Sequence, residues 1–299
     1  MCPKKIAVLL HEKDTFFEST TYLLRLMMEK WKDKGLAVEI IRGANRFIPA
    51  DVIIPHLDLT ITPDEYRDFV DRYPVAINRR VVNISKSRIS TNIARKGDAY
   101  AGPIVVKTDR NYGGLPERRL KGETPAPLVM RGIIGKVVSK LLRKRTGMTP
   151  WKSVEYLEPG AYPVFSSLQE VPAGVFDNEN LVVEKFLPEV QGGDYCLRYY
   201  YFFGDKDINF LLRSREKMVK GANVFRCEEA PVPPELFSIR RRMGFDYGKF
   251  DYVLRHGEVI LFDVNRTPSY SQLARHRLAD RVASHLAEGI CSTLESSCS

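Results

Sequence analysis

Short apolar runs alternate with amphipathic stretches over the first quarter of the chain. Residues 5–11 (KIAVLLH), 36–42 and 51–57 are continuous apolar runs of strand length, bounded by charged or turn-forming residues. Between the first two, residues 17–34 set Leu23, Met27 and Trp31 at helical spacing, and Gly35 ends the pattern. A second helix is predicted over 62–73, with Pro63 suited to its first turn, and a short strand over 74–78. This alternation predicts a small α/β domain with a largely parallel sheet, ending near residue 83. His11 and Asp58 each close a strand there, at the sheet end where ligands of open α/β sheets collect. Ordinary loop polarity is the alternative for both.

The pattern then changes. Ser85 can cap a helix running to Gly97. Residues 102–114, GPIVVKTDRNYGG, predict a buried strand that delivers Lys107, followed at once by a Gly113-Gly114 loop. A lysine at a strand end beside a glycine loop can grip a phosphate while backbone N–H groups cradle its oxygens. No helix-opening G-K-[ST] follows, so this is not a Walker A loop. Residues 115–150 are basic and irregular, with one helical stretch at 133–143, and are expected to form a mobile insert. Two further strands come next: LVVEKFLP at 181–188, and CLRYYYFFGD, which carries Arg198 and turns at Gly204-Asp205. The second pairs with a strand over 209–215.

The last strong pattern is FDYVLRHGEVILFDVNRTP at 250–268, two strands around a turn. Reading Arg255-His256-Gly257 as a three-residue loop pairs Asp251 with Leu261 and Lys249 with Asp263. Lys249, Asp251, Asp263 and Asn265 then share one face, and Phe250, Tyr252, Phe262 and Val264 the other. A two-residue turn would put Asp251 on the opposite face. Two carboxylates about 4 Å apart repel by roughly 4 kcal/mol at an effective dielectric near 20, so a proton or cation is expected between them. Aspartates with an amide oxygen are hard ligands suited to Mg2+ carrying phosphates. Solvated aspartates at a polar strand end are the alternative.

Composition narrows the class. With 299 residues and 44% hydrophobic content, the chain can bury a core in two or three lobes. No apolar run approaches the length of a membrane span, and the start MCPKKIAVLLHEKD lacks a signal-peptide cleavage site. Cys2, Cys196, Cys227, Cys291 and Cys298 are scattered, which predicts reduced thiols and a cytoplasmic setting. The net charge of +9 gathers in Arg118-Arg119-Lys121, at 136–145 and in Arg240-Arg241-Arg242. Such patches suit phosphates or other anions, or are plain solvated surface. No recognition motif for nucleic acid accompanies them, so no nucleic-acid partner is expected.

Three features stand in one order: the lysine strand with its glycine loop, a strand ending Glu-Lys-Phe-Leu, and an acidic hairpin closing in FDVNRTP. Together, over roughly residues 84–280, they resemble the ATP-grasp superfamily of ATP-dependent ligases. The resemblance implies an α/β protein with an N-terminal domain over 1–83 and an ATP-grasp domain over 84–299. The latter divides into a first lobe over 84–182, with the basic insert 115–150, and a second lobe over 183–299, the two sandwiching ATP. It implies that Lys107 and Lys86 contact the phosphates and that Gly113 and Gly114 cover them. Glu184, Lys185, Phe186 and Leu187 would hold adenine, and Asp194 the ribose. Asp251, Asp263 and Asn265 would bind Mg2+, with Mn2+ as its alternative. Arg213 and Lys249 would face the γ-phosphate and acyl group. The sequence departs from the family in having Asp263 where glutamate is commoner, Lys249 where several members carry arginine, and Ser85 for the usual aspartate.

The implied reaction is attack of a carboxylate on the γ-phosphate, followed by an amine displacing phosphate from the acyl phosphate. Small acid and amine substrates are the expected partners, with no membrane, and the pattern leaves the oligomeric state open. A kinase of the same fold acting on a polyol or anionic metabolite is the alternative. A non-catalytic nucleotide-binding module sits poorly with three retained metal ligands.

Overall fold

The computed structural model describes residues 4–123, 151–159 and 161–295. Most of the basic insert, with its expected helix at 133–143, lies outside them. The chain is mixed α/β. It gathers into two compact units, one from Met1–Ile84, Arg88–Thr91 and Pro188–Ser299, the other from Ser85–Ser87 and Asn92–Leu187.

The first unit holds two sheets. Strands β1 (Lys5–Leu10), β2 (Ala37–Arg42), β3 (Val52–Pro55) and β4 (Val75–Ala76) form a parallel sheet in the order β2-β1-β3-β4. β1 is central, so both its faces are apolar. Ile6, Val8 and Leu10 pack with Leu23, Leu24, Met27, Met28 and Trp31 of the helix Leu23–Asp33. Ala7 and Leu9 pack on the other side with Tyr66, Phe69 and Val70 of the helix Asp64–Val70. Gly35, at φ 81°, ends the first helix where the sequence places the stop.

The second sheet of this unit is antiparallel. Its strands β8 (Glu189–Gln191), β9 (Asp194–Phe203), β10 (Lys206–Ser214), β11 (Val224–Glu229), β12 (Tyr247–Arg255) and β13 (Glu258–Asn265) run in the order β11-β10-β9-β12-β13, with β8 on β9. β9 is buried on both faces. Tyr199, Tyr201 and Phe203 enter the core that includes Trp31 and the helix Ala279–Ala287, while Tyr200 and Phe202 enter a second core with Phe250 and Tyr252. Trp31 Nε1 donates to the Ala287 carbonyl at 2.8 Å, tying the two ends of the chain.

The other unit contains β5 (Ile104–Thr108), β6 (Val164–Phe165) and β7 (Leu181–Lys185), antiparallel in the order β6-β5-β7. Ile104, Val106, Leu181 and Val183 form its core. The helix expected to run to Gly97 is shorter, Lys86–Ile89. Beyond it, residues 92–94 follow β7 instead: Lys185 N donates to Asn92 O at 2.9 Å and Ala94 N to Val183 O at 2.8 Å. Pairing along a buried strand outweighs local helix propensity here. Residues 115–120, expected to be irregular, form a helix, Leu115–Leu120.

Among the described residues no helix is long and apolar enough to cross a membrane. Cys196 and Cys227 are free, but Cys291 is disulfide-bonded, which corrects the expectation of thiols throughout.

Candidate functional site

The hairpin β12–β13 turns more tightly than the sequence predicts. Arg255 pairs with Glu258, leaving His256 and Gly257 as a two-residue turn with φ of 51° and 85°. Two successive positive φ values mark the primed turn whose twist matches the strands. Such a turn alone would separate the two aspartates. A β-bulge beside Phe262 reverses that: Tyr252 pairs with Leu261, then Asp251 with Asp263 and Lys249 with Asn265. The four polar residues therefore share a face, but in a different register from the one read in the sequence. The cost falls on Phe262, which is half-buried, while Leu261 takes the core place expected for it.

Charge at this face is balanced locally. Lys249 Nζ lies 2.8 Å from Asp251 Oδ1 and 3.9 Å above the centre of the Tyr199 ring. Burial disfavours the Lys249 ammonium, yet Asp251, with Tyr199 and Tyr201, outweighs it and raises its pKa. Burial pushes the Tyr199 hydroxyl up to about 12. Asp263 Oδ1 accepts from Val264 N at 3.1 Å. Asn265 Oδ1 accepts from Thr267 N at 2.8 Å and from Thr267 Oγ1 at 3.1 Å. Thr267 Oγ1 lies 2.9 Å from Asp58 Oδ1, and Tyr22 OH donates to Asp58 Oδ2 at 2.8 Å. Asp58, read as a strand-end polar residue, is thus joined to the end of the hairpin.

Arg213 and Asp194 stand apart from that face. β10 sets Arg213 opposite Cys196, whereas Lys249 and Asp251 stand opposite Tyr201 and Tyr199. Residues paired across a ladder point the same way and neighbours alternate, so Arg213 projects from the other face. There its Nε donates to Glu228 Oε1 at 2.8 Å. Asp194 Oδ1 is 2.9 Å from Arg215 Nη1.

The remaining candidates belong to the other unit. Lys107 pairs with Val182 and Glu184 with Val105, which places both side chains on the face away from the core. Lys107 Nζ is 2.5 Å from Glu184 Oε2, and the Glu184 side chain is 0% exposed. Glu184 Oε1 makes no hydrogen bond among the described residues. Beyond Glu184, the Lys185 carbonyl accepts from Asn92 Nδ2 and Phe186 N donates to Pro103 O at 2.8 Å. Lys86 is buried, with Nζ 3.0 Å from the Arg110 carbonyl. Tyr112, Gly113 and Gly114 all have positive φ, of 44°, 67° and 76°. A Cβ at Gly113 would come within 2.8 Å of the Leu157 carbonyl, so packing as well as conformation requires glycine there.

Sequence reasoning passed over His56, directly after β3. It is 0% exposed, and both ring nitrogens lack hydrogen-bond partners among the described residues. Phe17 and Tyr22 meet it edge-on at 5.2 and 4.5 Å, and burial pushes its pKa down to about 3. The strand-end argument that marked His11 and Asp58 applies equally to His56. Also missed was Glu189, which holds the buried Arg198 guanidinium through contacts of 2.8–3.2 Å and accepts from Leu254 N at 2.8 Å.

No cluster of three or more His, Cys, Asp or Glu among the described residues is placed to hold a metal. The donor set here is smaller and of another kind, two opposed carboxylates with an amide oxygen. That chemistry fits a hard cation with open positions for phosphate oxygens. In the other unit, the buried acceptor Glu184 Oε1 is of a kind that takes a hydrogen bond from an amine.

No family model matches the chain, and no curated protein matches its sequence. Solved structures are similar over nearly its whole length. D-alanine–D-alanine ligase from Bacillus anthracis is 12% identical, with 98% of each chain covered and a TM-score of 0.49. VanG D-Ala:D-Ser ligase from Enterococcus faecalis is 11% identical, with 97% of this chain and 99% of that one covered and a TM-score of 0.48. The ATP-grasp ligase PsnB, in complex with a precursor peptide and AMPPNP, is 11% identical, with coverage of 96% and 97% and a TM-score of 0.48. At such identities and scores the likeness assigns no residue a role.

Proposed function

We propose that the chain is an ATP-grasp enzyme, an ATP- and Mg2+-dependent ligase that joins a small carboxylic acid to an amine and releases ADP and phosphate. The observation that carries this reading is the opposed pair Asp251–Asp263 with Asn265 beside it, formed only because a bulge corrects the turn. A sheet gains nothing from like charges set directly opposite each other. A bound cation gives the pair a purpose.

When bound, Mg2+ would neutralise phosphate charge and ATP would supply the phosphoryl group. The chain's own residues bind and orient. Asp251, Asp263 and Asn265 are the metal ligands. Lys249 compensates Asp251 and would face the anionic substrate. Lys107 and Lys86 grip phosphate oxygens, with Gly113 and Gly114 shaping the loop beside them. Glu184 accepts the adenine amino group, and the segment Lys185, Phe186 and Leu187 presents backbone to the ring. Asp194 remains the candidate for the ribose. Arg213 is held by Glu228 on the other face of the sheet. Catalysis by such a site is positioning and charge neutralisation, with no protein nucleophile.

Products test this. With ATP and Mg2+ present, a panel of acids and amines is screened for nucleotide release. ADP and phosphate appearing only when both an acid and an amine are supplied is the expected result. AMP and pyrophosphate would sink it. A stable phosphorylated product from a single substrate would turn the reading to a kinase.

A further inference from the structure

The first unit contains a cavity that none of the candidate site residues lines. It lies beside the helix Asp64–Val70 and has a volume of about 260 Å3. Drug-sized sites run to roughly 300–1,000 Å3, so this one suits a small metabolite. Leu57, Tyr66, Val70 and Val82 give it apolar wall, and Arg67, Arg79 and Arg266 give it charge. Asp71 is the carboxylate in the lining, so three cations face one anion.

The three guanidinium groups are held differently. Arg266 is 3% exposed and lies at the buried side. Its Nη1 donates to Thr62 Oγ1 at 2.6 Å and Val81 O at 2.7 Å, and its Nη2 to Leu59 O at 2.6 Å. These bonds fix the plane of a cation that cannot lose its proton. Arg67 and Arg79 stand at the solvent side. Arg67 Nη1 meets Asp64 Oδ1 at 2.6 Å, but that carboxylate is mostly exposed. Arg79 Nη1 is 3.5 Å from Asp71 Oδ1 and its Nη2 donates to Tyr73 O at 2.7 Å. Exposed ion pairs of this kind contribute little, so both arginines can turn to a better anion at small cost. Planar forks bind carboxylates in two-point fashion, and the apolar wall rewards hydrocarbon attached to the anion.

We propose that this cavity binds a small carboxylate with a branched or aromatic hydrocarbon body, its charge toward the arginines and its body toward Leu57, Val70 and Val82. Free phosphate has the charge without the body and is a poor occupant.

Calorimetric titration of the full chain, without ATP or Mg2+, tests this apart from the catalytic reading. The probes are benzoate and isovalerate, with benzamide and inorganic phosphate as controls. Saturable binding of benzoate or isovalerate at one site is expected, with benzamide and phosphate at least about tenfold weaker. Arg67→Gln and Arg79→Gln should each weaken carboxylate binding about tenfold while the melting curve stays in place. Val82→Phe, which fills the cavity, should abolish binding. No binding of either carboxylate up to ~10 mM overturns the proposal, as that limit is weaker than a millimolar affinity. Equal binding of benzamide or phosphate also overturns it, and so does undiminished carboxylate binding in Val82→Phe.

Discussion

A single ion pair shows how a residue's role and its stability effect are linked. Lys107 is 2.5 Å from Glu184, whose side chain is wholly buried. Removing one partner of a buried pair strands the other, at roughly 3–5 kcal/mol. Lys107→Met should therefore lower apo stability by about 3 kcal/mol in denaturant titration, and adding Glu184→Gln should restore most of that. An unchanged Lys107→Met would show that the pair contributes nothing. His56 gives a pH-dependent case. Its folded pKa of about 3 lies below the ordinary value of 6.5. The unfolded state thus binds the extra proton, so stability present above pH 6.5 is lost as pH falls toward the folded value. The loss should approach about 1.4 kcal/mol per pH unit. His56→Phe, set among Phe17 and Tyr22, should remove that component of the acid slope and leave stability at pH 7.5 unchanged or higher. An identical slope in wild type and variant would place the acid sensitivity elsewhere. Lys107 was legible because a strand-end lysine beside a Gly-Gly loop is a chemical pattern. Its pairing with Glu184 was not, since those strands are brought together only in the folded unit.

At the scale of elements, apolar periodicity gave the strands of the parallel sheet to within a few residues, because buried β1 leaves a plain signal. It also gave the stripe Leu23, Met27 and Trp31 and the end of the long helix, whose start at Leu23 comes six residues after the expected residue 17. Register left a weaker trace. Turn length sets the parity of side chains across a hairpin, and a bulge resets it. Nothing in ILFDVN marks Phe262 as the extra residue, so a shorter turn and a bulge together produced the shared face expected from a longer turn. Helix propensity over 85–97 failed for the complementary reason, since the edge of β7 claimed residues 92–94. The turn itself is open to improvement. His256 holds φ at 51°, which asparagine adopts more readily. His256→Asn should raise stability by up to ~1 kcal/mol without altering nucleotide turnover, seen as a higher melting temperature. A lower one would mean that the His256 side chain contributes contacts beyond the turn.

For the whole molecule, the chain order of elements was readable and their partners were not. Trp31 and Ala287 hydrogen-bond across most of the sequence, and the N-terminal sheet shares a core with the antiparallel sheet formed after residue 188. No local pattern encodes such a pairing; it follows from which apolar faces remain to be covered once each sheet forms. The account as a whole rests on the polar face of β12–β13 serving a metal. Asp251 and Asp263 oppose each other directly, and in the metal-free protein their repulsion is offset by Lys249 Nζ, 2.8 Å from Asp251 Oδ1. Asp263→Asn removes that repulsion and one metal ligand together. The decisive measurement is ADP release against Mg2+ concentration for wild type and Asp263→Asn, with metal-free melting curves beside it. The expected result is turnover reduced by orders of magnitude, a half-maximal Mg2+ concentration shifted upward, and a metal-free melting temperature equal to or above that of wild type. Unchanged turnover at every Mg2+ concentration would contradict the metal site and the ligase reading built on it.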